Sequence, residues 1–158
     1  MGLPVQVAKS NKKITFEYIK QRIWARIQGW QEKLLPKAGK EILIKAVAQA
    51  IPTYTMSCFD LSKSLCYEIS SMIGRYRWSQ QDKVNKINWI GWQKLTRSKN
   101  LGGLGFRDLH AFNLAMLARQ GWCLLTQPDS LCAKVMQAKY FPTGKLLEAT
   151  VKGGISYT

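Results

Sequence analysis

Phe16, Ile19, Ile23, Ile27, Trp30 and Leu34 recur at spacings of 3, 4, 4, 3 and 4. That rhythm places six large apolar side chains on one stripe of an α-helix, and no strand alternating at period two reproduces it. Thr15, just before the stripe, is an N-cap candidate. Pro36 must end or separate this helix, because proline lacks the amide donor and its ring clashes with the preceding turn. A second helix is predicted over Ala38–Ala50, with Leu43, Ile44, Val47 and Ile51 on its apolar side, Lys45 opposite, and Pro52 as its stop. Two amphipathic helices joined so tightly should pack against each other.

The same reasoning continues along the chain. Tyr54–Phe59 reads as a short extended or irregular link, and Ser62 as the cap of a third helix with Leu65, Ile69, Met72, Ile73 and Tyr76 on one face. Residues 79–88 are polar and without period, which marks a boundary or a long loop. Trp89, Trp92 and Leu95 predict a short helix. Leu101–Phe106, with three glycines, predicts a turn, and Asp108 caps a helix over Leu109–Thr126. That last helix is apolar nearly all round, so it is expected to be the central buried helix of the second half. A further helix carries Leu131, Val135 and Tyr140 and stops at Pro142. The expected fold is therefore mainly α: a three-helix unit over residues 1–80, a second small helical unit over 81–142, and a loop-rich tail over 143–158.

Charge narrows the function classes. Twenty-four Lys and Arg face nine Asp and Glu, a formal net charge of +15. The excess favours polyanionic partners, nucleic acid first. It is spread as +7 over residues 1–59, +5 over 60–100 and +3 over 101–158, unlike the concentrated charge of a solvated tail. On the first helix, Arg22, Arg26 and Lys33 fall on one flank of the apolar stripe, with Glu17 and Glu32 elsewhere. A basic row without interleaved acids suits either a phosphate track or a solvated face. Lys37 and Lys40 lie at the connection to the second helix, close to that row. Arg107, just after the glycine turn, is a further phosphate candidate, whereas the turn itself lacks the G-K-S/T of a phosphate-binding loop. Trp30, Trp78, Trp89 and Trp92 suit either the core or base stacking.

Catalytic and metal chemistry find little support. The nine acids are scattered and form no adjacent Asp pair, whereas two-metal phosphoryl transfer needs clustered carboxylates. One histidine, His110, on an apolar helix makes a triad improbable. Cys58, Cys66, Cys123 and Cys132 have no close spacing of the zinc type, and they read as reduced, buried thiols. No catalytic residue, metal, cofactor or small-molecule substrate is expected. No apolar run reaches the roughly 20 residues of a membrane helix, and residues 1–10 lack a secretory core. An intracellular protein of nucleus or cytoplasm, without membrane association, is expected.

Several blocks resemble the LINE-type (non-LTR) retrotransposon reverse transcriptases of plants. Leu3-Pro4 resembles the end of the family's Y-L-G-L-P box. Ile27-Gln28-Gly29-Trp30, Lys33-Leu34-Leu35, Ala38-Gly39-Lys40-Glu41 and Leu43-Ile44-Lys45 resemble its W-x-x-K-x-L-S-x-A-G-K/R-x-x-L-I-K signature. Ile51-Pro52-Thr53-Tyr54 and Met56-Ser57-Cys58-Phe59 continue it. Trp89-x-x-Trp92, the run Gly102-Gly103-Leu104-Gly105-Phe106-Arg107-Asp108-Leu109, Phe112-Asn113, Leu117-Ala118, Gln120-Gly121-Trp122 and Lys139-Tyr140-Phe141-Pro142 follow in order. Pro36 and Lys37 depart from the family, which usually has Ser and a variable residue there. The resemblance implies the thumb and the linker toward a zinc-binding segment, without the palm that holds the polymerase carboxylates and without the zinc region itself. It implies a non-catalytic fragment that grips the backbone of an RNA or RNA–DNA duplex irrespective of sequence, through Arg22, Arg26, Lys33, Lys37, Lys40, Lys45 and Arg107, alongside other parts of a reverse transcriptase. The alternatives are a relic without activity and a domesticated helical module that binds another protein.

Overall fold

The computed structural model describes residues 12–31, 35–79, 90–140 and 142. Among them every regular element is helical. Helix α1 spans Lys12–Gln31, α2 Lys37–Leu43, α3 Thr53–Cys58, α4 Lys63–Trp78, α5 Trp92–Leu95, α6 Leu109–Thr126 and α7 Leu131–Tyr140. A π-helical turn, Ile44–Ala48, extends α2, and a 3-10 turn, Lys99–Leu101, follows α5. The mainly α class read from the spacing is the observed one.

The apolar stripe of α1 forms the floor of the core: Phe16, Ile19, Ile23 and Ile27 are buried. Each such side chain removed from water contributes about 1.5–3 kcal/mol. The helix starts at Lys12 rather than after Thr15. Across from the stripe lie Leu65, Ile69, Ile73 and Tyr76 of α4. Phe16 meets Phe59 with ring centroids 5.5 Å apart, Lys20 meets Glu68 at 2.8 Å, and Trp30 meets Tyr76 at 5.7 Å. The numbers rise together, so α1 and α4 run parallel. A parallel neighbour needs a return crossing, and α2 and α3 make it.

Two devices shape that crossing. At the end of α2 the Gln49 amide donates to the Ile44 carbonyl at 2.9 Å, an i→i+5 bond that widens the helix by one residue. The wide turn buries Ile44, Ala48 and Gln49. The link expected over Tyr54–Phe59 is instead helix α3. Pro52 occupies its N-terminal boundary, where a missing amide costs nothing, and its carbonyl accepts from Met56 N at 2.9 Å. Too short for a readable period, α3 is held by burial of Thr55 and Met56 and by a 3.0 Å hydrogen bond between the Tyr18 and Thr55 hydroxyls.

The predicted caps are present. The Ser62 hydroxyl accepts from Leu65 N at 3.4 Å, and Asp108 Oδ1 accepts from His110 N and Ala111 N at 3.0 and 3.1 Å. Between α5 and α6 the chain folds back so that the Leu95 carbonyl accepts from both Leu104 N and Phe106 N, at 3.1 and 3.2 Å. Trp92 stacks on Phe106 with centroids 5.5 Å apart. Leu95, Phe106 and Leu109, assigned by sequence to a second unit, lie in the same core as α1 and α4.

Helix α6 corrects another expectation. It is not a central buried helix: among its side chains only Leu109 and Asn113 are buried. Leu114 is 49% exposed, Trp122 66% and Leu125 40%. Helix α6 packs against α3, α4 and α7, yet an apolar surface is left over. Four buried thiols were also expected, but only Cys66 is buried; Cys58 is half-buried, and Cys123 and Cys132 are exposed. No helix among the described residues is long and apolar enough to cross a membrane.

Candidate nucleic-acid interface

The structure sorts the predicted basic residues into two groups. Arg22 and Arg26 are exposed, one turn apart on α1, and Lys37 is exposed at the start of α2. Lys33, predicted for the same row, lies outside the described residues.

Lys40, Lys45 and Arg107 are half-committed to the fold. Lys40 Nζ donates to the Ser79 carbonyl at 2.5 Å and to the Ser79 hydroxyl at 3.3 Å, and it sits 5.1 Å above the Tyr76 ring. Lys40 is thereby tied to the C-terminal end of α4, a helix that the linear pattern gave no reason to place beside it. Lys45 Nζ meets Glu41 at 2.6 Å and lies 5.6 Å over the Phe106 ring. The Arg107 guanidinium lies 4.6 Å over the Phe112 ring, with Nη1 3.5 Å from the Gln49 carbonyl. Gln49 returns a bond from its amide nitrogen to the Arg107 carbonyl at 3.4 Å.

These anchors bring together cations that are distant in sequence. Burial pushes the Lys40 ammonium below its ordinary pKa, and the nearby Arg77 guanidinium adds to the shift. The Glu41 carboxyl is held below the usual range, first by the hydrogen bond from Lys45, then, against an opposing push from burial, by the charges of Lys45, Lys99 and Arg77. The charges of Lys45, Lys99 and Arg77 thus act on the Glu41 carboxylate, and that of Arg77 acts on Lys40 as well. Among the described residues, Arg77 Nε and Nη1 are shielded from water and have no hydrogen-bond partner. Buried guanidinium nitrogens without acceptors are costly, and a swing of the Arg77 side chain toward solvent would let an anion supply the acceptors they lack. Neither Arg77 nor Lys99 stood out in the sequence as a binding candidate. No linear spacing connects them to Lys40, although two basic residues in the last turn of α4 were visible.

The Glu41–Lys45 pair sets a pH dependence. Because the folded pKa of Glu41 is depressed, its contribution exists above the unfolded carboxylate pKa and disappears as pH falls through the folded value. Glu41→Gln should remove that acid-side loss while costing only about 0.5 kcal/mol at neutral pH, since the pair is a partly exposed i,i+4 contact. Urea midpoints of both proteins across the acidic range check this.

The aromatic residues divide similarly. Trp30 packs against the core, Trp92 is stacked on Phe106, and Trp78 lies beside the Arg77 guanidinium at 5.6 Å. Trp89 lies outside the described residues. Trp24 and Trp122, which sequence analysis did not select, are the exposed ones. Among the described residues no three His, Cys, Asp or Glu side chains approach closely enough to hold a metal ion. The Cys66 thiol is pushed up to about 11, first by burial and then by Asp108 and Asp60, which keeps it protonated and unreactive.

No family profile matches the sequence, and no solved structure matches it. Two curated plant proteins do. The chain is 34% identical over 138 residues to "Putative ribonuclease H protein At1g65750" of Arabidopsis thaliana, a match covering 87% of this chain and 22% of that protein. It thus spans about a fifth of the length of that relative. It is 44% identical over 109 residues to "Uncharacterized mitochondrial protein AtMg00310" of the same plant, covering 68% of this chain and 71% of that protein. At that identity and coverage, this basic, mainly helical chain belongs to the family of the Arabidopsis mitochondrial protein AtMg00310.

Proposed function

We propose that this chain is a nucleic-acid backbone binder derived from a plant retroelement, equivalent to the thumb and linker of a LINE-type reverse transcriptase, without catalytic activity of its own. The observation that carries the reading is the grouping of Lys45, Lys99 and Arg77 about the Glu41 carboxylate, with Lys40 near Arg77 and, among the described residues, no acceptor for two Arg77 nitrogens. Phosphate is the anion that the overall charge of +15 most favours. The exposed pair Arg22 and Arg26, with Lys33 and Lys37, supplies a second set of phosphate contacts. The relative named as a ribonuclease H protein is consistent with a setting in which RNA–DNA duplexes occur.

Binding of this kind has a measurable signature. Each neutralised phosphate releases counterions, so log Kd should change linearly with log salt. Arg77→Ala, Arg22→Ala and Arg26→Ala should each weaken binding to a labelled RNA–DNA duplex for all sequences alike, and each lowers the salt slope by about one unit. Fluorescence anisotropy titrations over a salt series measure both. Unchanged affinity and slope in all three variants would rule the interface out, and nucleotide incorporation in a primer-extension assay would rule out the non-catalytic part. A protein-binding helical module is the second reading, and the exposed apolar side of α6 is the feature that favours it.

A further inference from the structure

Acids and bases are matched differently in two places among the described residues. Between α1 and α4 two carboxylates share one cation: Lys20 Nζ lies 2.8 Å from Glu17 and 2.8 Å from Glu68. On α2 the proportion is reversed. Glu41 is the sole acid between Glu32 and Asp60, a stretch that holds Lys33, Lys37, Lys40 and Lys45. The fold adds Lys99 and Arg77, whose charges also act on Glu41.

The neighbours of Glu41 along α2 fix its place. Lys40, the residue before it, is anchored to the carbonyl and hydroxyl of Ser79, two positions beyond Arg77 at the end of α4. Lys45, one turn on, lies 5.6 Å over the ring of Phe106, in the fold-back that follows the 3-10 turn Lys99–Leu101. Both flanking lysines are thus tied to the segments that carry Arg77 and Lys99. Lys45 Nζ also donates to Glu41 Oε1 at 2.6 Å.

That bond has the chemistry of a phosphate contact. A carboxylate and a phosphodiester each carry one negative charge and two free oxygens that accept from N–H donors. The Glu41–Lys45 pair is an i,i+4 contact between partly exposed side chains, and such pairs contribute little in water. A phosphate can therefore take Lys45 over at small cost. Until it does, an approaching phosphate meets Glu41 as a like charge.

We infer that Glu41 is the resident counter-anion of this surface: it occupies Lys45 in place of a phosphodiester, yields it when a nucleic-acid backbone binds, and thereby restrains the affinity. The inference rests on the phosphate-binding reading given above and adds a residue that opposes binding. Glu41 differs in this from Glu17, whose carboxylate is paired on another flank of α1 from Arg22 and Arg26.

Anisotropy titrations of the full chain with a labelled RNA–DNA duplex over a salt series test it. Glu41→Gln should tighten binding about three- to tenfold at low salt, the effect of removing one screened charge beside the ligand. Its salt slope should steepen by about one unit, because Lys45 becomes free to neutralise a phosphate. Glu17→Gln removes the same charge elsewhere and should change neither quantity, which separates the role of Glu41 from a simple rise in net charge. Lys45→Met keeps the apolar stem over Phe106, and in that background Glu41→Gln should no longer steepen the slope. Circular dichroism of each variant should show unchanged helix content. Equal behaviour of Glu41→Gln and Glu17→Gln overturns the inference, and so does a slope change that persists without Lys45. If the unaltered protein binds and Arg77→Ala weakens it while Glu41→Gln has no effect, only the role of Glu41 fails. If the unaltered protein shows no salt-dependent binding, the phosphate-binding reading fails and this inference with it.

Discussion

Asn113→Ala should destabilise the protein by about 3–5 kcal/mol, a large share of the stability of a domain this size. Asn113 is fully buried on the inner side of α6. Its Oδ1 accepts from Leu61 N at 2.8 Å, and its Nδ2 donates to the carbonyls of Met56 and Phe59 at 2.8 and 2.9 Å. One side chain thus satisfies three backbone groups at the end of α3 and in the bend that leads to α4. Removing the amide therefore takes the side-chain partner from two carbonyls and one N–H. Each such group costs about 1–3 kcal/mol, partly relieved if water enters. Asn113→Asp should be similarly damaging, because a carboxylate oxygen would replace the donor between two carbonyls. Urea unfolding followed by circular dichroism gives the loss, and amide exchange at Leu61 should accelerate. A change below about 1 kcal/mol would mean that the bend is held by something else.

Gly103→Ala should cost about 3 kcal/mol, toward the upper end for an overpacked site. A Cβ at Gly103 would stand 2.1 Å from the Arg97 carbonyl oxygen and 2.5 Å from its carbonyl carbon. Backbone cannot swing aside as a side chain can. That oxygen is also fixed by the Gly105 amide, which donates to it at 2.8 Å. The fold-back that carries Phe106 and Leu109 into the core must therefore open. Gly102 provides the contrast. It has a φ of +74° and no neighbour within 4 Å of a built Cβ, so Gly102→Ala meets only the left-handed backbone penalty, about 1–2 kcal/mol. Thermal melts of the two variants should differ in that order, and equal losses would contradict the close approach at Gly103.

Both sites show what a sequence pattern conveys and what it omits. The stripe of α1, the Ser62 and Asp108 caps and the proline stops are local devices. Each acts within about one helical turn, so neighbouring letters suffice to predict it. Asn113 belongs to a resemblance block, yet nothing in its neighbourhood tells that it reaches 52 to 57 positions back to Leu61 and Met56. Helix α3 was hidden because six residues cannot display a period, and its order comes from burial against α1 and α6. Helix α6 was misjudged for the opposite reason. Apolar residues on every side reveal that a helix wants cover all round, but they do not reveal whether its own chain supplies that cover.

The basic interface divides along the same line. Arg22 and Arg26 were legible because a helical flank is a local property. The grouping of Lys40, Lys45, Arg77 and Lys99 was not, because it depends on the end of α4 and the 3-10 turn reaching α2. By itself the sequence determined the helical class, the first helix and its buried stripe, the caps, and a charge suited to a polyanion. The tertiary structure alone decided which cations share a site and which apolar side of α6 stays in water, since electrostatic and hydrophobic energies depend on distance through space and not on separation along the chain.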